Sequence, residues 1–246
     1  MIKVLYRTYF WLIAIPLYAV ATFATALITA VGCLLGGEKF FSYYPGALWA
    51  RVACIVTLCP VRVRGRENLK KGQSYVFISN HQGAFDIFLI YGYLGAPIKW
   101  MMRKGVAKIP FVGFACRMAG FILVDNTSAR AAQRSVTEAG ARLRNGRSLI
   151  IFPEGSRSHD GRLSRFKRGA YQIATEHQLP IAPITLNGPF HVNRSGSWAF
   201  SPHRLEMIIH PPVMPPQKTD ATKEAIQELL DETQQTIHSA LWDEFK

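Results

Sequence analysis

Two long apolar segments open the chain and set its N-terminal region apart from the rest. The first, from Thr8 to Gly37, holds no charged residue and exceeds the roughly 20 apolar residues that cross a bilayer. Pro16 is predicted to kink or divide this helix. The second segment, from Phe40 to Val61, carries Arg51 near its middle, where a charge costs about 2.5 to 3.5 kcal/mol on membrane-insertion scales. We therefore expect the second segment to lie in the membrane interface.

Positive charge flanks both segments. Lys3 and Arg7 precede the first, so a signal peptide is an alternative, but the run is longer than a signal core and has no convincing cleavage site. Basic residues also follow the second segment, at Arg62, Arg64, Arg66, Lys70 and Lys71. Because Lys and Arg mark the cytoplasmic side, both flanks are predicted to face the cytoplasm. A membrane-associated helical segment over residues 1–60, shaped as a hairpin or a re-entrant pair, satisfies this pattern.

Beyond residue 60, short apolar runs alternate with helical patterns. Seven strands are predicted, from Val61 to Arg66, Ser74 to Ser79, Ile98 to Arg103, Phe121 to Val124, Ser148 to Phe152, Ile181 to Leu186 and Leu205 to His210. Helical periodicity fills the intervals, notably from Ser128 to Asn145 and from Lys167 to His177. This alternation predicts an α/β domain over residues 61–217 with a largely parallel sheet.

Residues 218–246 differ in composition, with seven acidic and three basic side chains. A helix is predicted from Thr222 to Ala240, and its apolar face consists of Ile226, Leu229, Leu230, Thr233 and Ile237. Such a face is typical of an amphipathic helix that packs on a domain. The segment from Pro211 to Pro216, with four prolines, separates this helix from the last strand.

The overall charge indicates an anionic partner. The 246 residues have a formal net charge of +13 and are 49% hydrophobic, which excludes a disordered chain and favours work on an anionic surface or substrate. No nucleic-acid-binding motif is present, so a phospholipid membrane is the expected partner rather than nucleic acid. The four cysteines lack metal-ligand spacing and lie among apolar residues. They indicate buried free thiols in a reducing compartment.

The candidate chemistry lies in the stretch from Asn80 to Asp86, between two apolar runs. A buried strand is predicted to deliver His81 to the edge of the sheet, and a helix is predicted to leave from Asp86. A neutral imidazole can take a proton from a hydroxyl near pH 7. Asp86 can accept the other ring N–H and fix the tautomer. Because no serine or cysteine lies in a nucleophile elbow, the attacking hydroxyl is expected to belong to the substrate.

Four ordered segments resemble the glycerolipid acyltransferase family, which includes the 1-acylglycerol-3-phosphate acyltransferases. The segments run from Asn80 to Asp86, Arg103 to Gly113, Phe152 to Ser158 and Leu179 to Pro183, within a resemblance that covers roughly residues 61–190. The family fold is a mixed sheet flanked by helices, so the resemblance implies an α/β domain of that kind behind the hydrophobic N-terminal anchor.

The resemblance also implies roles for individual residues. His81 and Asp86 are the catalytic pair. The substrate-binding residues are Arg103, Lys104, Glu154, Gly155, Ser156 and Arg157. Arg157 is expected to bind the acceptor's phosphate. Glu154 is either an acceptor-binding or site-organising carboxylate, or a helix-capping or arginine-pairing residue. Lys167 and Arg168 either add charge to the phosphate site or lie on the surface.

The chain departs from many family members at Gly83, Ala84 and Asn126, where serine, an aromatic residue and arginine are common. The expected activity is membrane-bound transfer of a fatty acyl group from acyl-CoA or acyl-carrier protein to the sn-2 hydroxyl of 1-acylglycerol-3-phosphate. Glycerol-3-phosphate or another lysophospholipid is an alternative acceptor, and a lipid hydrolase or a noncatalytic lipid-binding protein is an alternative class. No metal or other cofactor is expected. The predicted location is a membrane such as the bacterial inner membrane, with the catalytic domain on the cytoplasmic side.

Overall fold

The computed structural model of the protein describes residues 2–109, 111–124, 148–197 and 199–246. All seven predicted strands are confirmed, with ends that differ by two residues or fewer. They are β1 (Val61–Arg64), β2 (Val76–Ser79), β3 (Ile98–Arg103), β4 (Ile122–Val124), β5 (Ser148–Ile151), β6 (Ile181–Asn187) and β7 (Leu205–Ile209). The helix predicted from Ser128 to Asn145 lies outside the described residues.

The strands form one mixed sheet in the order β1-β7-β6-β2-β5-β3-β4. Neighbouring strands are parallel except for the antiparallel pair β6 and β7. Strands β2 and β6 are buried along their whole length, as expected for near-continuous apolar runs covered by helices on both faces. The predicted α/β fold with a largely parallel sheet is therefore confirmed.

Helices cover both faces of the sheet and form the N-terminal region. They are α1 (Ile2–Tyr9), α2 (Ile15–Leu34), α3 (Glu38–Phe41), α4 (Tyr44–Val56), α5 (Phe85–Tyr93), α6 (Val112–Met118), α7 (Gly169–His177), α8 (Pro189–Val192) and α9 (Lys223–Ser239). Short 3-10 turns lie at Arg66–Asn68, Lys104–Lys108, Lys218–Asp220 and Asp243–Phe245.

Helices α1 and α2 are joined by a π-helical turn, Phe10–Ala14, which ends just before Pro16. A wider turn suits this position because proline lacks an N–H and its ring crowds the carbonyl four residues earlier. The predicted division of the helix thus takes the form of a π turn. Helix α1, the π turn and α2 follow one another without a break. Among the described residues, this continuous stretch, Val4–Leu34, is the one that is long and apolar enough to cross a membrane by length and composition.

Helix α4 runs antiparallel to α1 and α2 and is held to them by polar contacts. The hydroxyls of Tyr6 and Tyr9 donate to backbone carbonyls at the end of α4 and beside it, and the Trp49 indole N–H donates to the Thr22 hydroxyl at 2.9 Å. Arg51 Nε donates to the Gly92 carbonyl at 2.6 Å, near the end of α5. The charge that interrupts the second apolar segment therefore supports a helix terminus.

Helix α4 also belongs to the main hydrophobic core. Ala47, Ala50 and Cys54 are buried in the same cluster as Phe77 of β2 and Leu89 of α5. Because these contacts join residues on both sides of residue 60, the hydrophobic core continues across the predicted domain boundary.

The C-terminal helix α9 packs as its pattern predicts. Thr222 caps its first turn by accepting from the Ala225 N–H. Leu229, Leu230 and Ile237 are buried against α7 and the sheet, and the Thr233 hydroxyl lies 2.6 Å from that of Tyr171. The Asn187 side chain at the end of β6 donates to the Ala240 carbonyl at 3.0 Å, so the end of α9 is tied to the central sheet.

Candidate active site

The loop that carries His81 begins at the carboxyl end of β2 and is fixed there by Asn80. The Asn80 amide donates to the Leu186 carbonyl at 2.9 Å and accepts from the Leu186 N–H at 2.8 Å. This pair of bonds ties the first loop residue to strand β6. Helix α5 starts four residues after His81, at Phe85, so Asp86 lies in its first turn and faces back toward the loop.

His81 and Asp86 form a close pair. Nδ1 of His81 lies 2.6 Å from Oδ2 of Asp86, and the same oxygen accepts the Gly83 N–H at 2.9 Å. Because Oδ2 already accepts the Gly83 N–H, it faces Nδ1 as an acceptor, and this arrangement favours the tautomer with the proton on Nδ1. This tautomer leaves Nε2 as the basic nitrogen. The Asp86 side chain is fully buried, whereas that of His81 is 17% exposed and therefore accessible to a substrate.

Burial raises the pKa of Asp86, and the hydrogen bonds from His81 and from the backbone oppose this effect. The carboxylate is thus desolvated and stabilised chiefly by the imidazole and by local N–H groups. Such a group fixes the orientation of the base and stabilises the imidazolium that forms when the base takes a proton.

The His81 ring stacks on Phe152, with ring centroids 4.0 Å apart and an angle of 11° between the planes. From Phe152, aromatic contacts continue to Trp100 at 6.2 Å and on to Tyr91 at 6.0 Å. Tyr91 lines an apolar cavity of about 100 Å³, whose walls also include residues of α2, α4 and α6 such as Ala26, Trp49 and Ala115. A row of aromatic rings therefore extends from the base to an apolar cavity.

Glu154 organises the main chain of His81. One of its oxygens accepts the His81 backbone N–H at 2.7 Å, and the other accepts both the N–H and the hydroxyl of Ser164, at 2.9 and 2.7 Å. Only 6% of the residue is exposed, and burial raises its pKa while these bonds oppose that shift. Among the described residues no ion pair joins Glu154 to Arg157. The geometry thus agrees with an organising residue and not with an arginine-pairing one.

The segment from Glu154 to Ser158 runs beside His81, and we refer to it as the arc. The Ser158 N–H donates to the His81 carbonyl at 2.8 Å, so the block is bonded to both backbone groups of His81, through Glu154 and Ser158. Gly155 has φ +82°, a left-handed conformation that favours glycine. Gly155 and Ser156 are exposed and Arg157 is partly exposed. In the parts of the chain that the structure describes, Arg157 makes no hydrogen bond or ion pair.

Arg103 and Lys104 lie at the same edge of the sheet. Arg103 ends β3, and Lys104 begins the following 3-10 turn. Strand β5 pairs in parallel with both β2 and β3. The carboxyl ends of these three strands, followed by His81, Glu154 and Lys104, therefore lie side by side, which is where open α/β sheets bind ligands.

Several residues of the site were not identified from the sequence. Asn80, Phe152 and Ser164 hold His81 or its supports through contacts that span up to 106 residues, and no local pattern indicates such partners. The sequence does not distinguish a phosphate-binding role from a surface role for Lys167, and in the structure its Nζ lies against Gly155. Arg168 has a surface role, because its guanidinium binds Gln227 of α9 at 3.0 and 2.7 Å.

Gly83 shows why this chain differs from many family members at one position of the loop. A methyl group on Gly83 would lie 2.8 Å from the Pro189 carbonyl oxygen and 3.0 Å from that of Asn193. A serine would therefore require the segment around α8 to move. Asn126, another of these departures, lies outside the described residues.

The structure thus defines an α/β protein with a His–Asp pair at the carboxyl edge of its sheet, beside an arginine that has no partner among the described residues. Sequence comparison identifies the family. It belongs to the acyltransferase family, whose family model, described as Acyltransferase, matches residues 60–187.

Individual relatives agree with this assignment. The chloroplast 1-acyl-sn-glycerol-3-phosphate acyltransferase LPAT1 of Arabidopsis thaliana is 33% identical over 72% of this chain and 49% of its own length. A 1-acyl-sn-glycerol-3-phosphate acyltransferase of Pseudomonas aeruginosa is 29% identical over 66% of this chain and 64% of its own. The chain spans about half the length of the chloroplast relatives it matches.

A solved structure extends the similarity to nearly the whole chain. The crystal structure of the 1-acyl-sn-glycerophosphate (LPA) acyltransferase PlsC from Thermotoga maritima matches with a TM-score of 0.76 and 25% identity, and covers 98% of both chains. The similarity therefore includes the N-terminal helices as well as the α/β domain.

Proposed function

We propose that the protein is a 1-acylglycerol-3-phosphate O-acyltransferase, which moves a fatty acyl group from acyl-CoA or acyl-carrier protein to the sn-2 hydroxyl and yields phosphatidic acid. The observation that carries this proposal is the His81–Asp86 pair, 2.6 Å apart, at the sheet edge of a chain of the acyltransferase family. The names of the similar proteins from Arabidopsis thaliana, Pseudomonas aeruginosa and Thermotoga maritima support the same acceptor.

The proposed reaction uses His81 as a general base. Nε2 of His81 takes the proton of the sn-2 hydroxyl as its oxygen attacks the thioester carbonyl, and the imidazolium is stabilised by Asp86. The carbon–sulfur bond then breaks, and the proton passes from His81 to the leaving thiolate. Among the described residues no serine or cysteine side chain hydrogen-bonds to the His81 ring. This supports direct transfer without an acyl-enzyme.

Recognition of the acceptor is assigned to two parts of the site. Arg157 has no protein partner in the described chain, and its planar guanidinium can bind two phosphate oxygens at once. The apolar cavity beside Tyr91 is a place for part of an acyl chain, because its walls carry few polar groups.

Phospholipid is the proposed membrane partner, and exposed apolar side chains support it. Val20, Leu27 and Val31 of α2 are each at least 45% exposed, as are Leu48 and Ile55 of α4. Two neighbouring helices with exposed apolar side chains are unusual on a protein surrounded by water. Insertion of these helices into a bilayer would bring the site to its lipid acceptor.

An acceptor panel tests the proposed activity. The purified protein in mixed micelles, supplied with radiolabelled acyl-CoA or acyl-carrier protein, should acylate lysophosphatidate faster than glycerol-3-phosphate, lysophosphatidylcholine or 1-acylglycerol. Release of free fatty acid in the absence of any acceptor would identify a hydrolase instead. Binding of lipid without any product would identify a noncatalytic protein.

A further inference from the structure

Lys167 lies against the arc that runs beside His81, although ten residues separate it from Arg157. Its backbone N–H donates to the Pro153 carbonyl at 3.0 Å, which holds this part of the chain alongside the Glu154 block. Its side chain turns over Gly155, so that a methyl group on Gly155 would lie 2.5 Å from Nζ and 3.3 Å from Cε of Lys167. The ammonium therefore occupies the space that a larger residue at position 155 would fill.

The Lys167 ammonium has no protein partner that would explain this position. Within the described ranges it makes no salt bridge and its side chain makes no hydrogen bond. Its neighbour Arg168 provides a contrast, because both of its guanidinium bonds go to Gln227. Of two adjacent cations, one is bound on the surface and the other lies on the arc beside the base.

The arc is fixed relative to the base at both ends. Glu154 accepts the His81 N–H at 2.7 Å, and the Ser158 N–H donates to the His81 carbonyl at 2.8 Å. Between these two bonds lie Gly155, which carries the Lys167 ammonium on its surface, and Arg157, which is also unpaired in the described chain. Two positive charges that have no counter-ion among the described residues thus lie on one short arc, which is bonded to the main chain of His81.

We infer that Lys167 is a second phosphate-binding residue, which acts with Arg157 on one phosphate monoester. The inference rests on the proposed function for its choice of substrate. A doubly charged phosphate offers three strong acceptor oxygens. One guanidinium binds two of them, and a lysine ammonium is a compact partner for the third oxygen. Glycine at position 155 leaves the space for that ammonium. The monoester is that of the lysolipid acceptor or the 3′-phosphate of coenzyme A.

Three variants test the inference in the full-length protein. Lys167→Met removes the charge but keeps a long side chain, Lys167→Arg keeps the charge, and Arg168→Met removes an adjacent charge that is already bound to Gln227. Lys167 is exposed. For lysophosphatidate, Lys167→Met should raise KM about tenfold with kcat changed less than about threefold, because a hydrogen bond to a charged group is lost. Lys167→Arg and Arg168→Met should stay within about threefold of wild type.

Two substrate pairs distinguish the source of the phosphate. If Lys167 binds the acceptor, the effect of Lys167→Met should disappear with 1-acylglycerol. If it binds the donor, the effect should appear in the KM of acyl-CoA and disappear with acyl-dephospho-CoA. Either result supports phosphate binding by Lys167. An equal loss with all four substrates, an effect of Arg168→Met as large as that of Lys167→Met, or no effect at all would overturn it.

A binding measurement separates this inference from the proposed activity. Isothermal titration of lysophosphatidate into the wild-type protein and Lys167→Met, in the same detergent, reports on phosphate recognition without turnover. If the wild type binds but does not acylate, the proposed function fails, while about tenfold weaker binding by Lys167→Met still supports the role of Lys167. A parallel titration with coenzyme A reports on the donor's 3′-phosphate. Equal binding of both lysophosphatidate and coenzyme A by the two proteins contradicts that role whatever the activity.

Discussion

At the scale of single residues, the position of the base depends on bonds to its main chain as well as on its ring. Asp86 holds Nδ1, while Glu154 and Ser158 hold the backbone N–H and carbonyl of His81. A shift of one ångström in a base can cost about two orders of magnitude in rate. Glu154 is therefore expected to influence catalysis through the position of His81, without contact to the substrate.

Glu154→Gln tests this positioning role. One amide oxygen cannot accept both the His81 N–H and the Ser164 N–H, so a buried donor loses its partner, at a cost of about 1–3 kcal/mol. We expect kcat to fall by about ten- to a hundredfold with little change in the KM for either substrate. Glu176→Gln on the exposed face of α7 is the matched control and should behave as wild type. Wild-type kcat in Glu154→Gln would contradict the role.

The same variant has a predicted pH signature in stability. Because burial raises the pKa of Glu154 above its ordinary value of 4.5, the folded state binds the proton more tightly than the unfolded state does. The stabilisation from protonated Glu154 is complete below the ordinary value and is lost as the pH rises through the raised pKa. The wild-type free energy of unfolding should therefore approach that of Glu154→Gln as the pH rises from 4.5 through the raised pKa, as measured by denaturant unfolding. A difference between the two free energies that widens with pH would contradict the raised pKa.

The sequence indicates the His81–Asp86 pair, and the family resemblance indicates Glu154, but neither indicates the bond between Glu154 and the His81 main chain. His81 and Asp86 are five residues apart, so a tight loop alone brings them together. Glu154 lies 73 residues from His81 along the chain and binds a backbone N–H, a group that every residue except proline carries. No residue type at position 81 signals such a bond. It follows from the parallel pairing of β2 with β5, which local patterns do not specify.

At the scale of elements, the N-terminal helices have two different apolar faces. One face packs on the domain, through residues such as Phe10, whose ring stacks on Phe200 with centroids 4.5 Å apart. The other face is exposed, with Val20 and Leu27 at 69% and 54%. The uncharged run in the sequence revealed the helix but could not distinguish these faces, because both are apolar.

Glutamate at Val20 and Leu27 tests the role of the exposed face. Because these side chains contribute little to the core, the double variant Val20→Glu/Leu27→Glu should unfold at the wild-type temperature in detergent. It should lose most of its flotation with vesicles of phosphatidylglycerol and phosphatidylethanolamine, since a charge in hydrocarbon is strongly unfavourable. Gln235→Glu, on the exposed side of α9, is the control and should float as the wild type does. Undiminished flotation of the double variant would contradict insertion of this face.

At the scale of the whole molecule, the C-terminal segment closes the fold around the loops of the site. Phe245 is buried against Gly161, where a methyl group would lie 2.4 Å from its ring. The Gly161 carbonyl accepts from the Gln82 side chain at 3.1 Å. Phe245 is therefore connected through Gly161 to the loop that contains His81. The connection consists of the packing of Phe245 on Gly161 and of one hydrogen bond from Gln82 to Gly161.

The positions of the strands along the chain were predictable, but their order in the sheet was not. The seven apolar runs were sufficient to locate the strands. Their order was not determined, because β7 lies between β1 and β6 and pairs antiparallel with β6. That placement depends on which distant apolar faces fit together, for example Met207 of β7 with Ala50 of α4 in one core. Such complementarity is a property of the packed chain and not of a local period.

The most direct test of His81 as the general base is the turnover of lysophosphatidate and labelled acyl-CoA by purified His81→Ala and Asp86→Asn. We expect His81→Ala to lower kcat about a thousandfold, in keeping with the loss of a general base. Asp86→Asn should also be severely impaired, because a neutral amide cannot stabilise the imidazolium as the carboxylate does. Both variants should keep wild-type secondary structure by circular dichroism. Turnover within tenfold of wild type by folded His81→Ala would contradict general-base catalysis at this site.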